Sequence, residues 1–163
     1  MTTTVHGLDE LAALAGTTLG PTGWHEVTQD QVNTFADATG DHQWIHTDPE
    51  RAAAGPFGST IAHGYLTLSL IIPLWSDLLD LRDIRTRVNY GLNKVRFPAP
   101  VPVGGKVRLT ADLTAVDRLT DDSAQVTVDF MVELEGSSTV SDVRSASSAK
   151  PTVVAQALYR YYA

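Results

Sequence analysis

Residues 59–79 read STIAHGYLTLSLIIPLWSDLL, and this stretch decides the fold. Ile61, Tyr65, Leu68, Ile72, Trp75 and Leu79 recur at helical spacing with other apolar residues between them, which predicts a helix from Ser59 or Thr60 through Leu79. A helix that is apolar nearly all round must be covered by protein or by lipid. A span over 61–81 would carry His63, Gly64, Pro73, Asp77 and Asp80 into the bilayer, so a buried core helix is the better reading. Pro73 removes one backbone bond and should kink it.

The cover comes from the C-terminal half. VRLTADLTAV (107–116), AQVTVDFMVEL (124–134) and VVAQALYRYY (153–162) are rich in Val, Thr, Leu and aromatic residues, with alternation in places, and read as strands. Gly104-Gly105 and Asp121-Asp122 supply turns before the first two. A further strand over 88–97 precedes PAPVP, whose prolines suit a connection or a sheet edge. Strands around one apolar helix give an α+β antiparallel architecture. The Ser-rich segment 136–150 is poor in bulky residues and is expected to be a mobile loop without chemistry.

On the N-terminal side, TQDQVNTFADATG (28–40) carries Thr28 as N-cap, Gln31 completing a capping box, and Gly40 as the stop. Val32, Phe35 and Ala36 form its apolar stripe. DPERAAAG (48–55) places Asp48 at an N-cap and Pro49 at the first helical position, for one or two turns.

At 163 residues, 43% apolar and 19% charged, the chain has the length and composition of one globular domain, 1–163, without internal repeats. A formal charge of −7 disfavours nucleic acid and anionic membrane as partners, and an anionic substrate would need a local basic patch. No cysteine is present, which removes disulfide frameworks, thiol nucleophiles and zinc ribbons. That absence, with an N-terminus unlike a signal peptide, points to a cytoplasmic protein.

Two clusters can carry chemistry. GDHQWIH (40–46) follows a helix stop and offers a carboxylate and imidazoles near neutral pH; it is either an acid/base site or a turn with a structural histidine. His42 and His46 are four apart, with Asp41, Asp48 and His63 as further ligand types, but HExxH is absent and Gly40 argues against a helix through the loop, so no metal is expected. The second cluster, AHGYL (62–66), opens the long helix. Gly64 allows close approach to free N–H groups of the first turn, where negative charge can develop; otherwise this is a helix start with a polar His63.

Together these clusters resemble the MaoC-like hydratase family. FADATGDHQWIHTDPERA (35–52) is similar to its hydratase motif, IAHGYLTLSL (61–70) to the start of its central helix, and NKVRFPAPVPVGGKVRL (93–109) to a strand, Pro-containing connection and strand start of hotdog hydratases. The similarity runs over about 23–134 and the last strand. It implies a hotdog fold, a curved antiparallel sheet around the helix, and (R)-specific hydration of trans-2-enoyl thioesters without a cofactor. It also implies a homodimer with the acyl-thioester tunnel at the subunit interface, and these strands are too few to wrap the helix alone. Asp41 and His46 fall on the family's catalytic pair, and Gly64 where a backbone N–H meets the thioester carbonyl.

Departures touch the substrate wall. Gln43-Trp44 stands where Asn-Pro is usual, and Ile72 where some relatives carry serine, with Ser69 one turn earlier. Trp44, His63 and Ser69 are therefore expected to line the substrate. Lys94 and Arg96, two apart on one strand face with Arg85 and Arg87 nearby, are either phosphate contacts for CoA or solvated charges. Two rival functions share the fold: an acyl thioesterase, disfavoured by the Asp-x4-His spacing, and a non-catalytic thioester-binding partner, which would leave enoyl-CoA absorbance unchanged on mixing.

Overall fold

The computed structural model describes residues 1–136 and 150–163. The segment expected to be a mobile loop falls almost wholly outside the described residues. The N-terminal segment, to which the sequence reading assigned no element, forms strand β1 (Thr3–His6), helix α1 (Gly7–Ala13), and short strands β2 (Thr17–Leu19) and β3 (His25–Glu26). Then follow α2 (Gln29–Thr39), α3 (Trp44–Thr47), α4 (Pro49–Ala53), α5 (Gly64–Ser69), α6 (Ile71–Leu78) and β4 (Leu79–Arg82). Strands β5 (Thr86–Arg96), β6 (Lys106–Thr120), β7 (Ser123–Leu134) and β8 (Val153–Tyr162) complete the chain.

The last four strands fall where the apolar and β-branched runs placed them. They build an antiparallel sheet in the order β2-β6-β7-β8-β5, with β3 also on β6, while β1 and β4 form a separate parallel pair. Successive side chains alternate between faces. Leu109 and Leu113 of β6, Val128 and Phe130 of β7, and Ala157, Tyr159 and Tyr161 of β8 are buried on the face that meets Leu70, Leu74 and Trp75 of the helix. Trp75 donates its indole N–H to the Tyr161 hydroxyl at 3.2 Å, tying helix to sheet.

The long helix starts later than its periodicity predicts. Residues 60–62 are extended: Ile61 N–H donates to the Ile45 carbonyl, Ala62 N–H to Val101, and Val103 N–H to Thr60. Ile61 bridges Pro102 of the PAPVP connection. The backbone groups a first turn would need are thus taken by neighbours. Pro73, lacking an N–H for the Ser69 carbonyl, accounts for the division of the helix at Leu70 into α5 and α6. The helix is also not wrapped on all sides: Tyr65 is 71% and Ile72 42% exposed.

Helix α2 begins as predicted, the Thr28 hydroxyl accepting from Gln31 N–H at 3.2 Å. Only half of the capping box forms, because the Gln31 side chain reaches His25 instead. Gly40 at φ 79° closes the helix in the left-handed region and turns the chain into the Asp41 loop. Asp48 caps α4 through Arg51 N–H.

Candidate active site

Two chain segments converge here, the turn after α2 and the start of α5. The sequence reading treated 40–46 as loop throughout, but Trp44–Thr47 forms one helical turn that carries His46 inward. His46 is buried, and its Nδ1 lies 2.7 Å from the Ile61 carbonyl. A carbonyl only accepts, so Nδ1 carries the proton and neutral His46 keeps its lone pair on Nε2. Burial pushes the His46 pKa below its ordinary value and His63 adds to this, against opposing effects of the Ile61 hydrogen bond and Asp41. The ring is therefore held neutral and accepting near neutral pH.

His63, 2% exposed, stacks on His46 with ring centroids 3.8 Å apart. Its Nε2 donates to the Asp41 backbone carbonyl at 2.9 Å and stands 4.0 Å from the Asp41 carboxylate. His63 thus ties down the Asp41 loop, while its Nδ1 is buried without a hydrogen-bond partner. The Asp41 side chain is 55% exposed, at the rim. One ligand-type side-chain atom from each of Asp41, His46 and His63 lies within 4.8 Å of the others. Such a spacing lets one water bridge carboxylate and imidazole, and three such atoms could also hold a metal ion. His42 does not join them; it is exposed and 3.8 Å from Asp37.

Gly64 begins α5, and a Cβ there would come within 3.1 Å of the Phe97 ring. The missing side chain admits that ring over the helix start. His46, Gly64, Thr67, Phe97, Pro100 and Thr152 are among the residues lining a cavity of about 230 Å³. Phe97 and Thr152 escaped the sequence reading because nothing local in PAPVP or after Pro151 ties them to a motif 30 residues or more away in the chain.

Five expected substrate contacts do not line this cavity, among them His63, which is buried against His46. The Trp44 ring packs against Gly55 and lies under the Arg51 guanidinium at 4.5 Å. Ser69 bonds back to the Tyr65 carbonyl and lines a different cavity, further along the helix. Lys94 and Arg96 pair in register with Gln156 and Val154, on the sheet face opposite the buried Ala155 and Ala157, because their position in the strand's alternation turns them away from the helix.

A model of the MaoC-like domain matches residues 10–134. The chain belongs to the MaoC-like domain family. This MaoC-like chain is 51% identical over 160 residues to 3-hydroxyacyl-thioester dehydratase Z of Mycobacterium tuberculosis, covering 98% of this chain and 99% of that protein. It is 46% identical over 102 residues to nodulation protein N of Rhizobium meliloti, covering 61% of this chain and 63% of that one. Among solved structures, an R-hydratase from Pseudomonas aeruginosa in unliganded form superposes with a TM-score of 0.69 at 21% identity, covering 94% of this chain and 83% of that one. The MaoC-like fold is the hotdog arrangement the motifs implied, an antiparallel sheet laid on a central helix.

Proposed function

We propose that residues 1–163 form one MaoC-like hotdog domain catalysing reversible hydration of a trans-2-enoyl thioester to the (R)-3-hydroxyacyl thioester. The observation that carries this is the pinned tautomer of His46: Nδ1–H on the Ile61 carbonyl leaves Nε2 free to accept, and a ring nitrogen of His46 belongs to the same close group as the Asp41 carboxylate. The full-length relative from M. tuberculosis, a 3-hydroxyacyl-thioester dehydratase, supports the same reaction class.

In hydration, Asp41 and His46 hold one water and remove its proton as its oxygen bonds to C3. The pair returns a proton to C2, and the electron pair of the double bond passes through an enolate-like thioester. The Gly64 N–H, which bonds to no described residue, donates to the thioester oxygen as charge builds. Delivery of hydroxyl and proton from one pair on one side makes the addition syn, and the (R) hand at C3 is the one that the resemblance of the 35–52 motif implies. His63 acts through position, holding the Asp41 carbonyl and stacking on His46.

We further infer a cytoplasmic homodimer. Strand β5 ends the sheet, is exposed along almost its whole length, and lies beside the uncovered Tyr65 and Ile72. Among the described residues no helix is long and apolar enough to cross a membrane.

The test is loss of enoyl-CoA absorbance on mixing, across acyl lengths, with chiral analysis of the product. Hydration to the (R) alcohol is expected. An (S) product, or thioester cleavage with release of free CoA in place of hydration, overturns the reading.

A further inference from the structure

Two further cavities lie beyond the one at His46 and Gly64, along the groove between the helix and β5. The first, about 310 Å³, is walled mainly by apolar residues including Leu68, Ile72 and Leu92. The second, about 120 Å³, shares Ile72, Asn89 and Tyr159 with the first, so the two are contiguous. Their linings advance in order along both elements, from Gly64 and Phe97 at the reacting end to Ser76 and Arg87 at the far end. Along the helix, Gly64 to Ser76 is roughly 18 Å.

The far chamber is unlike the apolar stretch before it. Antiparallel register sets Arg87 opposite Tyr161 and Asn89 opposite Tyr159, two cross-strand pairs on the helix-facing side of the sheet. All four can donate hydrogen bonds. Tyr161 receives the Trp75 N–H on its oxygen, which leaves its own proton to donate. Burial pushes both phenols above their ordinary pKa, so they keep their protons. Neither the Tyr159 hydroxyl nor the Asn89 amide bonds to any described residue. Arg87 uses one N–H on the Leu81 carbonyl and has no acidic partner among the described residues. An apolar passage ending in convergent donors and an unpaired guanidinium fits methylenes followed by an acceptor-only, negatively charged group.

We propose that the far chamber receives a carboxylate at the distal end of the acyl chain, so that the substrates include monothioesters of dicarboxylic acids. This rests on the hydration reading and names its substrate class.

The test compares kcat/KM for enoyl thioesters of matched length ending in methyl or in carboxylate. At the length that spans the groove, the carboxylate-ended substrate is expected to be preferred. Arg87→Gln should lower kcat/KM for that substrate roughly ten- to hundred-fold, the effect of losing a charge-assisted hydrogen bond, and leave methyl-ended substrates within a few-fold. Arg87→Lys, which keeps the charge, should retain part of the preference, and Tyr159→Phe should reduce it. A wild type that prefers the methyl end at every length, or an Arg87→Gln variant that loses both substrates equally, overturns the proposal while leaving hydration intact. If no enoyl thioester is hydrated, the activity itself falls. Calorimetry with saturated thioesters then still decides whether the chamber holds an acidic end, since equal affinity for both ends, or no dependence on Arg87, overturns it.

Discussion

At the scale of single residues, the proposed chemistry rests on Asp41 and His46, each placed through a backbone carbonyl: that of Ile61 accepts from His46, and that of Asp41 accepts from His63. Asp41→Asn and His46→Gln should each lower kcat by roughly 10²- to 10⁴-fold with the fold preserved. The double variant should be much less than multiplicatively worse, since both act on one water; steady-state kinetics with circular dichroism checks both statements. Because burial lowers the His46 pKa, loss of kcat/KM on the acid side should have its midpoint below the ordinary 6.5. The same shift makes stability depend on pH. Unfolded His46 binds its proton at the higher, ordinary pKa, so its contribution is complete above that value and is lost as pH falls toward the folded one. Urea titrations between pH 5 and 7 (about the window of an imidazole) should show stability rising with pH. A chelator should leave turnover unchanged, since proton transfer by Asp41 and His46 suffices for hydration; activity lost to EDTA and restored by zinc would assign the Asp41, His46 and His63 group to a metal instead.

At the scale of elements, α2 is placed by its two ends. Thr28→Ala removes the acceptor for Gln31 N–H and should cost about 1 kcal/mol, read from the midpoint of chemical unfolding. The caps at Thr28, Gly40 and Asp48 were legible because each signal and its partner lie within four residues. The strands were legible for the same reason, through local alternation. The start of α5 was not: 59–62 has helical apolar spacing, and only contacts with Ile45 and Val101 divert it. Asp41 and His46 were named as a pair from a motif local in the chain, and the fold brings their side chains together. Phe97 over Gly64, and Arg87 beside Tyr161, depend on register between segments 33 and 74 residues apart, which no window of sequence displays. The Lys94 and Arg96 reading had the spacing right and the side of the sheet open, and only the pairing with β8 settles which way they face.

At the scale of the whole molecule, one side of the helix and one edge of the sheet are left for something else to cover. Light scattering at micromolar concentration should give twice the 17.6 kDa chain mass. Placing a charge in the uncovered patch, as in Leu92→Asp, should shift the mass toward the single chain. That same strand has a further consequence. An eleven-residue edge with free pairing groups is a template on which any extended chain can add, the first step of aggregation. Lys94 and Arg96, on the outer face of that edge, are the residue types that deter indiscriminate strand addition. Their value to the protein then lies in colloidal behaviour during synthesis, before a second copy has arrived, and replacing both with valine would be felt first as insoluble material rather than as a slower enzyme.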